Sequence, residues 1–366
     1  MLKSIQLRGY RSLREFRLPL ARVTLVTGGN GVGKSNVYRA LALLQCMAEG
    51  RFASALANEG GMPSALWAGK RRRDEAMRIS WHIEHADFKF GIECGMVALD
   101  PDSPSLFRTD PEIKSETLHF ADKLMARRKG PVIEARNTDG KMESPTLPFH
   151  APESMISELR DGIRHPAVAA VREILLAWRF YHHFRADTDS PLRRPRLGSW
   201  SPVLADDGSN LAATLQTIIE ASGGETLRAA IDSAFPEMEW SPIDENGTFQ
   251  LCLQSPDLKR RMNAAELSDG TLRFFCLAAA LLSPKPPPLL VLNEPEASLH
   301  DGLIEPLAGL IVQVPAETQI IIVTHSQALA DSVISHCAAK KVELVSHDGE
   351  TRPKELAGAM RAWSFE

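Results

Sequence analysis

The segment that most constrains this chain is residues 28–35, GGNGVGKS, which match the pattern G-x-x-x-x-G-K-[ST]. A β-branched run, VTLVT, precedes the segment, and apolar residues at helical spacing follow it from Asn36 onward. Glycines let backbone N–H groups turn toward a phosphate, and the helix that follows directs its positive end at the same anion. The pattern therefore predicts a strand, a phosphate-binding loop (the phosphate loop, residues 28–35) and a helix.

The phosphate loop also predicts the ligands. In this pattern the lysine, here Lys34, reaches the β- and γ-phosphate oxygens, and the hydroxyl of Ser35 ligates Mg²⁺. ATP and Mg²⁺ are thus the expected cofactors. The residues predicted to contact ATP here are Asn30, Gly31, Val32, Gly33, Lys34, Ser35 and Asn36.

Composition excludes several other classes of protein. The chain has 366 residues, of which 44% are hydrophobic and 24% charged, so it can bury a sizeable core in two or three domains. Its net charge of −4 gives no overall attraction for nucleic acid. The five cysteines show no metal-ligand spacing, and no apolar run reaches the 18 or so residues of a membrane span. We expect a cytoplasmic protein with no membrane partner.

The pattern of apolar residues divides the chain into three segments. Residues 1–97 contain the phosphate loop and two further strands that suggest an antiparallel layer. Residues 98–260 are expected to form an insertion, with loops carrying short elements over 98–150, a helix over 154–178, an exposed polar loop over 185–202 and a helix capped by Ser209. Residues 261–366 return to strands of continuous Leu, Ile and Val between helices, which is typical of a parallel α/β sheet.

The third segment carries three motifs in a fixed order. Leu267-Ser268-Asp269-Gly270 opens an apolar helix, whose N-terminal amides suit an anion. Residues 289–294, LLVLNE, are expected to form an apolar strand that ends in Asn293 and Glu294, where a P-loop NTPase places its acid. The next strand ends in Thr324-His325-Ser326, from which an imidazole can reach a γ-phosphate.

This order of motifs resembles the ABC-type ATPases, whose signature motif is LSGG-like. Residues 294–300, EPEASLH, are similar to the stretch of that family that contains the D-loop, and the opening IQLRGYRSL resembles the RecF, SMC and OLD-type branch. The resemblance covers residues 1–48 and 262–346, and is closest to stand-alone bacterial ATPases of AAA/ABC type. It implies an α/β P-loop ATPase head with a mixed or parallel central sheet, an antiparallel β layer and a helical insertion.

The resemblance also implies a mechanism that needs two chains. Lys34 and Ser35 would act on ATP bound to their own chain, whereas Ser268 and Gly270 would complete the site of a second copy, so that ATP drives homodimerisation. The residues it assigns to catalysis are Glu294, which polarises the water, His325, which contacts the γ-phosphate, and Lys34. Arg11 matches a family position near the phosphates, and a solvated surface arginine is the alternative.

Two positions depart from the family pattern. Asn293 stands where the family has Asp, so it can support Mg²⁺ only through a neutral polar contact, and slow hydrolysis is expected. The family's Q-loop glutamine has no counterpart: Gln45 is expected to point away on the helix after the phosphate loop. His182 and His183 are expected to pack on opposite faces of a strand rather than to bind metal.

Four basic clusters could contact the phosphates of DNA or RNA, so nucleic acid is a candidate partner. The alternative for each cluster is a solvated surface loop. They are Lys70–Arg73, Arg127–Lys129, Arg193, Arg194 and Arg196, and Lys259–Arg261. Two functions remain. The first is an SMC/RecF-like ATPase acting on nucleic acid or on a partner effector in repair, maintenance or defence. The second is a slowly hydrolysing ATP sensor that gates a partner protein.

Overall fold

The computed structural model describes residues 1–70, 76–97, 104–145 and 152–356. Its strands are β1 (Leu2–Tyr10), β2 (Leu13–Pro19), β3 (Val23–Gly28), β4 (Arg78–His85), β5 (Phe88–Met96), β6 (Pro111–Phe120), β7 (Lys123–Lys129), β8 (Val132–Arg136), β9 (Met142–Glu143), β10 (Arg179–Tyr181), β11 (Arg196–Leu197), β12 (Glu239–Glu245), β13 (Thr248–Gln254), β14 (Met262–Asn263), β15 (Leu289–Asn293), β16 (Gln319–Val323), β17 (Lys340–His347) and β18 (Glu350–Pro353).

Helices separate the strands along the chain. They are α1 (Lys34–Glu49), α2 (Phe52–Asn58), α3 (Gly61–Ala65), α4 (Met155–Glu158), α5 (Pro166–Leu176), α6 (Leu211–Ser222), α7 (Glu225–Ala234), α8 (Asp269–Leu281), α9 (Ile304–Gln313) and α10 (Gln327–His336). Short 3-10 turns cover Pro191–Arg193, Asp301–Leu303 and Lys354–Leu356. The chain forms two compact units, one of residues 1–178 with 340–366 and the other of residues 179–339.

The first unit combines an antiparallel sheet with the strand that precedes the phosphate loop. The antiparallel sheet has eight strands in the order β2-β1-β4-β5-β6-β7-β8-β9. β3 pairs in parallel with β17, and β17 pairs antiparallel with β18. The apolar face of α1 is buried, and the indole N–H of Trp81 on β4 donates to the carbonyl of Ala40 on that helix at 3.0 Å. This packing fixes the helix that follows the phosphate loop.

The second unit contains a parallel α/β layer and a small antiparallel sheet. β10, β15 and β16 pair in parallel, and every residue of β15 and β16 is buried, as continuous apolar runs covered on both faces require. In the second sheet β13 pairs with β11, β12 and β14. The expected parallel sheet between helices is therefore present.

The expectation of a single insertion over residues 98–260 is wrong. Residues 111–143 form four strands that extend the sheet of the first unit, and α5 also belongs to that unit, whereas residues 179–260 belong to the second. These strands carry many charged residues, and opposite charges pair across them, as Arg127 does with Glu134. The resulting polar composition was interpreted as loop.

Three local predictions also need correction. Helix α6 is preceded by Asn210 rather than capped by Ser209, and Asn210 instead fixes the preceding turn by accepting from the backbone N–H of Ala205 at 2.8 Å. Gln45 is half-buried and donates to the carbonyl of Trp178 at 2.8 Å, so it ties α1 to the end of α5. Within the polar stretch 185–202, the 3-10 turn Pro191–Arg193 is anchored by the buried Leu192.

Candidate functional site

The phosphate loop lies between β3 and α1, as the sequence predicts. Gly31 and Gly33 adopt left-handed conformations, with φ of 76° and 97°. A Cβ at Gly33 would lie 2.1 Å from Oγ1 of Thr351 and 2.5 Å from Oγ of Ser12, whereas one at Gly31 would meet nothing within 4 Å. Gly33 is therefore required by both its backbone conformation and its neighbours, and Gly31 leaves the mouth of the loop open.

Ser12 and Thr351 anchor the loop, and the sequence analysis identified neither. Their hydroxyl groups are 2.6 Å apart, and the Thr351 hydroxyl donates to the carbonyl of Val32 at 2.7 Å. The side-chain amide of Asn36, a predicted ATP contact, donates to the Ser12 hydroxyl at 2.8 Å. The loop is thus held in shape by the β1–β2 turn and by β18, two segments that lie far apart in the sequence.

Lys34 is buried and ready for an anion. Its ammonium group donates to the carbonyls of Gly28 and Gly29 at 2.9 and 2.8 Å. These acceptors are neutral, so they leave the positive charge of Lys34 uncompensated. Ser35 is exposed next to it. The Lys34 ammonium group within a glycine loop and the exposed hydroxyl of Ser35 are suited to bind a phosphate group and its Mg²⁺.

Arg11 is held by a carboxylate instead of pointing freely into solvent. It has φ of 48°, and its guanidinium donates to Glu59 Oε2 at 2.9 and 3.1 Å. Tyr10 donates to the same oxygen at 2.7 Å. The alternative of a solvated surface arginine is therefore wrong, while a contact of Arg11 with nucleotide stays a prediction.

Asn293 and Glu294 lie at the carboxyl end of β15. Asn293 is 2% exposed and donates through Nδ2 to Nδ1 of His182 at 2.6 Å. Among the described residues nothing donates to its Oδ1. A buried oxygen without a donor is the kind of ligand that a hard cation such as Mg²⁺ accepts, so the residue fits the predicted metal position. Glu294 follows with φ of 51° and its backbone N–H donates to the carbonyl of Val323 at 2.7 Å.

His325 lies between two carboxylates. Its Nδ1 is 3.7 Å from Oε1 of Glu294 and 3.4 Å from Oε1 of Glu296. Glu296 is buried and accepts the hydroxyl of Thr324 and the backbone N–H groups of His325 and Ser326, at 3.3 and 3.2 Å for the two amides. The sequence analysis did not identify Glu296 as functional. The carboxylate fixes the turn that presents the imidazole.

The expectation that His182 and His183 pack on opposite faces of a strand is wrong. β10 ends at Tyr181, and both histidines are exposed beyond it. Nε2 of His183 accepts from Arg273 at 2.7 Å. Partial burial and the positive charge of Arg273 lower the pKa of His183, which favours this neutral acceptor form. No cluster of three metal-ligating side chains occurs within the described ranges.

Ser268 and Gly270 lie at the start of α8. The Ser268 hydroxyl is exposed and accepts the backbone N–H of Thr271 at 3.1 Å. A Cβ at Gly270 would be 2.9 Å from the carbonyl oxygen of Ser298, so only glycine permits this close approach to the D-loop (residues 294–300). A groove of about 560 Å³ lies here, and the residues that line it come from α7, α8 and the segment 298–303.

Most of the predicted basic clusters are neutralised by carboxylates. Arg128 is buried against Glu116, Arg193 pairs with Asp269, Arg194 with Asp189 and Arg260 with Glu266. In the last pair the arginine, with help from a backbone amide, holds the pKa of Glu266 at about 2. Arg71–Arg73 lie outside the described residues. These pairings favour structural roles for the clusters over contact with nucleic acid.

Comparison with known proteins identifies the family. A family model described as "AAA domain, putative AbiEii toxin, Type IV TA system" matches residues 23–331. The chain belongs to this AAA family. The match includes the phosphate loop, the start of α8, the end of β15 and His325, whereas Arg11, Ser12 and Thr351 lie outside the matched residues.

Comparison with solved structures shows which fold the AAA chain has. It is similar to an SMC head bound to the C-terminal winged-helix domain of ScpA, at 15% identity and a TM-score of 0.51, with 96% of this chain and 97% of that chain covered. It is also similar to the Pyrococcus furiosus SMC head with an extended coiled coil bound to the C-terminal domain of ScpA, at 15% identity and a TM-score of 0.52, with 96% and 95% covered. Comparison with curated protein sequences finds no match.

The AAA chain is therefore a P-loop ATPase of this family whose fold is similar to that of SMC heads, as the order of motifs implies. None of the helices over the described ranges combines the length and apolar character needed to cross a bilayer.

Proposed function

We propose that this AAA chain binds ATP with Mg²⁺, dimerises on it and hydrolyses it slowly. The observation that carries the proposal is the state of Lys34, a buried ammonium group whose partners are two neutral carbonyls of the phosphate loop. An ammonium group in this setting gains most from an anion, and the glycine loop around it has the pattern that takes a nucleotide phosphate.

Two residues each offer an oxygen of the kind that Mg²⁺ binds. Ser35 offers an exposed hydroxyl, and Asn293 offers a buried amide oxygen that accepts no hydrogen bond from the described residues. The ion would stabilise negative charge on the phosphates. Because Asn293 brings no charge, the ion would be held more weakly than by the carboxylate that the family pattern has at this position.

In the proposed reaction a water attacks the γ-phosphorus and the bond to the β-phosphate oxygen breaks, giving ADP and phosphate. Glu294 accepts the proton of the attacking water, and His325 donates a hydrogen bond to a γ-phosphate oxygen. Lys34 offsets the charge that grows on the bridging and terminal oxygens. Glu296 and Thr324 fix the backbone of the turn that carries His325.

The groove at the start of α8 supports the proposed dimerisation. Ser268 is exposed there, and all the residues that line the groove belong to the second unit. We propose that Ser268 and Gly270 receive the γ-phosphate of ATP bound to a second copy of the chain. Arg11 is proposed to reach the phosphates after it leaves Glu59.

An ATP sensor is the alternative function, and Asn293 favours it. A neutral side chain at the metal position slows turnover and prolongs the ATP-bound state, during which a partner can respond. The similar SMC heads are solved with domains of ScpA, so we propose a separate effector protein as the partner of this chain as well. DNA or RNA remains a predicted partner. Affinity capture with Glu294→Gln and ATP tests both, because that variant should hold the partner-competent state.

Nucleotide binding is tested by Lys34→Ala. The loss of the only side-chain cation in the described phosphate loop should abolish ATP binding while the fold remains, as measured by calorimetry and circular dichroism. Lys89→Ala is the matched control, because Lys89 is exposed and forms an ion pair with Asp122 at the surface. A folded Lys34→Ala protein that binds ATP as tightly as the parent contradicts the assignment.

Hydrolysis and dimerisation are tested by Glu294→Gln. The amide keeps the shape of the side chain but cannot accept the proton, so phosphate release should stop and ATP-bound dimers should accumulate. Light scattering measures the mass, and Glu305→Gln, an exposed carboxylate on α9, is the control. A Glu294→Gln monomer at saturating ATP and Mg²⁺ contradicts the dimer model, and unchanged phosphate release contradicts the role of Glu294.

A further inference from the structure

Arg193 is the most extensively bonded guanidinium near the start of α8. Only 11% of its side chain is exposed, although the residue lies in a stretch whose sequence is typical of an exposed loop. The 3-10 turn that carries it is fixed by Ser190, whose hydroxyl accepts the backbone N–H of Leu192 at 3.2 Å, and by the burial of Leu192. The side chain therefore projects from a rigid turn.

The guanidinium connects that turn to residues 263–270 (the signature loop), which lead into α8 and include its first two residues. Its Nη1 donates to the carbonyls of Ala264, Ala265 and Leu267 at 3.2, 3.1 and 2.8 Å. Its Nε donates to the carbonyl of Ala186 at 2.8 Å within its own segment. Three carbonyls that converge on one cation fix the path of the signature loop immediately before Ser268.

The third nitrogen of the guanidinium, Nη2, pairs with a carboxylate. Nη2 of Arg193 lies 2.6 Å from Oδ1 of Asp269, the acidic residue in the first turn of α8. Asp269 stands where an LSGG-like signature has glycine. Its carboxylate suits the positive end of α8 but repels an incoming phosphate, since both are anions. A bonded guanidinium next to it removes most of that repulsion.

We infer that Arg193 is a positioning residue for the signature loop: it fixes the loop backbone and offsets the charge of Asp269, so that Ser268 can receive a phosphate of ATP held by a second copy of the chain. This inference rests on the proposed function. It assigns a role to an arginine that the sequence analysis placed in a possible nucleic-acid cluster.

Arg194 provides a matched control. It is the next residue along the chain, its side chain is 64% exposed, and it pairs with Asp189 at 3.4 Å. Arg193→Met and Arg194→Met remove the same charge from adjacent positions, so a general electrostatic effect acts on both. An effect through the signature loop acts on Arg193→Met alone.

The first measurement needs no nucleotide. Amide hydrogen exchange of residues 263–270 should be at least tenfold faster in Arg193→Met than in the parent, and unchanged in Arg194→Met. Arg193→Lys keeps the charge but loses the planar fork, so it should also raise exchange. If Arg193→Met fails to fold, the exchange rates of Arg193→Lys test the positioning role instead. Exchange at the parent rate in both Arg193 variants overturns the positioning role.

The second measurement uses the Glu294→Gln background with ATP and Mg²⁺. Arg193→Met should weaken ATP-driven dimerisation at least tenfold by light scattering, while the affinity of the monomer for a fluorescent ATP analogue changes less than twofold. Adding Asp269→Asn should restore at least threefold of the lost dimerisation but none of the protection from exchange. Absence of that recovery overturns the charge-balancing role. If the Glu294→Gln parent itself stays monomeric, the proposed function fails, and the exchange measurement still decides whether Arg193 positions the loop.

Discussion

Asn293→Asp restores the carboxylate that the family pattern has at the end of β15, and the structure sets the size of the effect. Asn293 is 2% exposed, donates through Nδ2 to His182, and its Oδ1 receives no hydrogen bond from the described residues. An aspartate there has no N–H to donate and keeps one oxygen without a donor. An unsatisfied buried polar group costs about 1–3 kcal/mol, and more when it is charged. Without Mg²⁺ the free energy of unfolding should fall by roughly that amount, with a drop in Tm of about 1–4 °C for a chain of 366 residues.

The same group should strengthen metal binding. A bound cation satisfies the carboxylate, so the penalty of the metal-free state is recovered on binding. A recovery of about 1–3 kcal/mol corresponds to an apparent Mg²⁺ affinity about 5- to 150-fold higher. If metal support limits turnover, kcat should rise and the Mg²⁺ requirement should fall. If the amide instead prolongs the ATP state, the lifetime of the ATP-bound dimer should shorten.

Two titrations test this reasoning. Thermal unfolding with and without Mg²⁺ gives the coupling between the metal and stability, and the ATPase rate as a function of Mg²⁺ gives the catalytic effect. Asn246→Asp, at an exposed turn between β12 and β13, is the matched control and should change neither measurement. Identical Mg²⁺ curves and identical metal-free Tm values for Asn293→Asp and the parent refute the placement of Asn293 at the metal.

Three further outcomes follow from individual contacts. Gly33→Ala should abolish ATP binding and should destabilise the fold by more than Gly130→Ala does. Both glycines have positive φ, which costs an alanine about 1–2 kcal/mol, but of these two positions only Gly33 would bring a Cβ into collision with its neighbours. Chemical unfolding of the two variants measures the difference in stability. Glu296→Gln should lower kcat about tenfold with ATP affinity unchanged in a binding assay, because hydrogen bonds to a charged acceptor are stronger by about 1 kcal/mol than those to an amide. Arg128→Met leaves the Glu116 carboxylate buried without its cation, so the free energy of unfolding should fall by about 3–5 kcal/mol near pH 7. Burial already raises the pKa of Glu116, so this loss of stability should shrink as the pH falls toward 5 and the carboxylate is protonated. Equal losses at both pH values in denaturant titrations contradict this reasoning.

Local sequence was enough to predict the phosphate loop and the parallel layer. The loop depends on glycines at fixed spacing and on a lysine and a serine directly after them, so all of its determinants lie within eight residues. The strands LLVLN and QIIIV are fully buried, and continuous apolar runs of this length between helices have few other uses. The sequence of each of these elements is therefore enough to predict its structure.

The strands β6 to β9 carry no such signal, because their stability comes from pairing. Arg127 and Glu134 form an ion pair across β7 and β8, and the buried pair of Arg128 and Glu116 joins β7 to β6. In a single strand these residues give a polar composition without clear alternation. Only their cross-strand partners make them favourable in a sheet.

The missed site residues have the same physical explanation. Thr351 contacts Ser12 across 339 positions of the sequence, and His182 contacts Asn293 across 111 positions. Glu296 lies within a motif that the sequence analysis quoted, but its role depends on backbone amides that follow β16. Hydrogen bonds of this kind have no period and no fixed spacing, so the pattern of one sequence cannot predict them.

Asn293 and Asp269 both differ from the family pattern, and in the proposed mechanism they act on different steps. Asn293 would remove a negative charge from the metal position, with an effect on metal affinity and turnover. Asp269 would add a negative charge to the signature loop, where it pairs with Arg193, with an effect on assembly with a second copy. In a chain that carries both Asn293→Asp and Asp269→Asn, the Mg²⁺ requirement should therefore follow the first substitution and the dimer dissociation constant the second, with their effects additive in free energy. A double variant whose Mg²⁺ requirement depends on residue 269 would show that the two charges belong to one coupled network, and the division of roles between metal support and assembly would have to be abandoned.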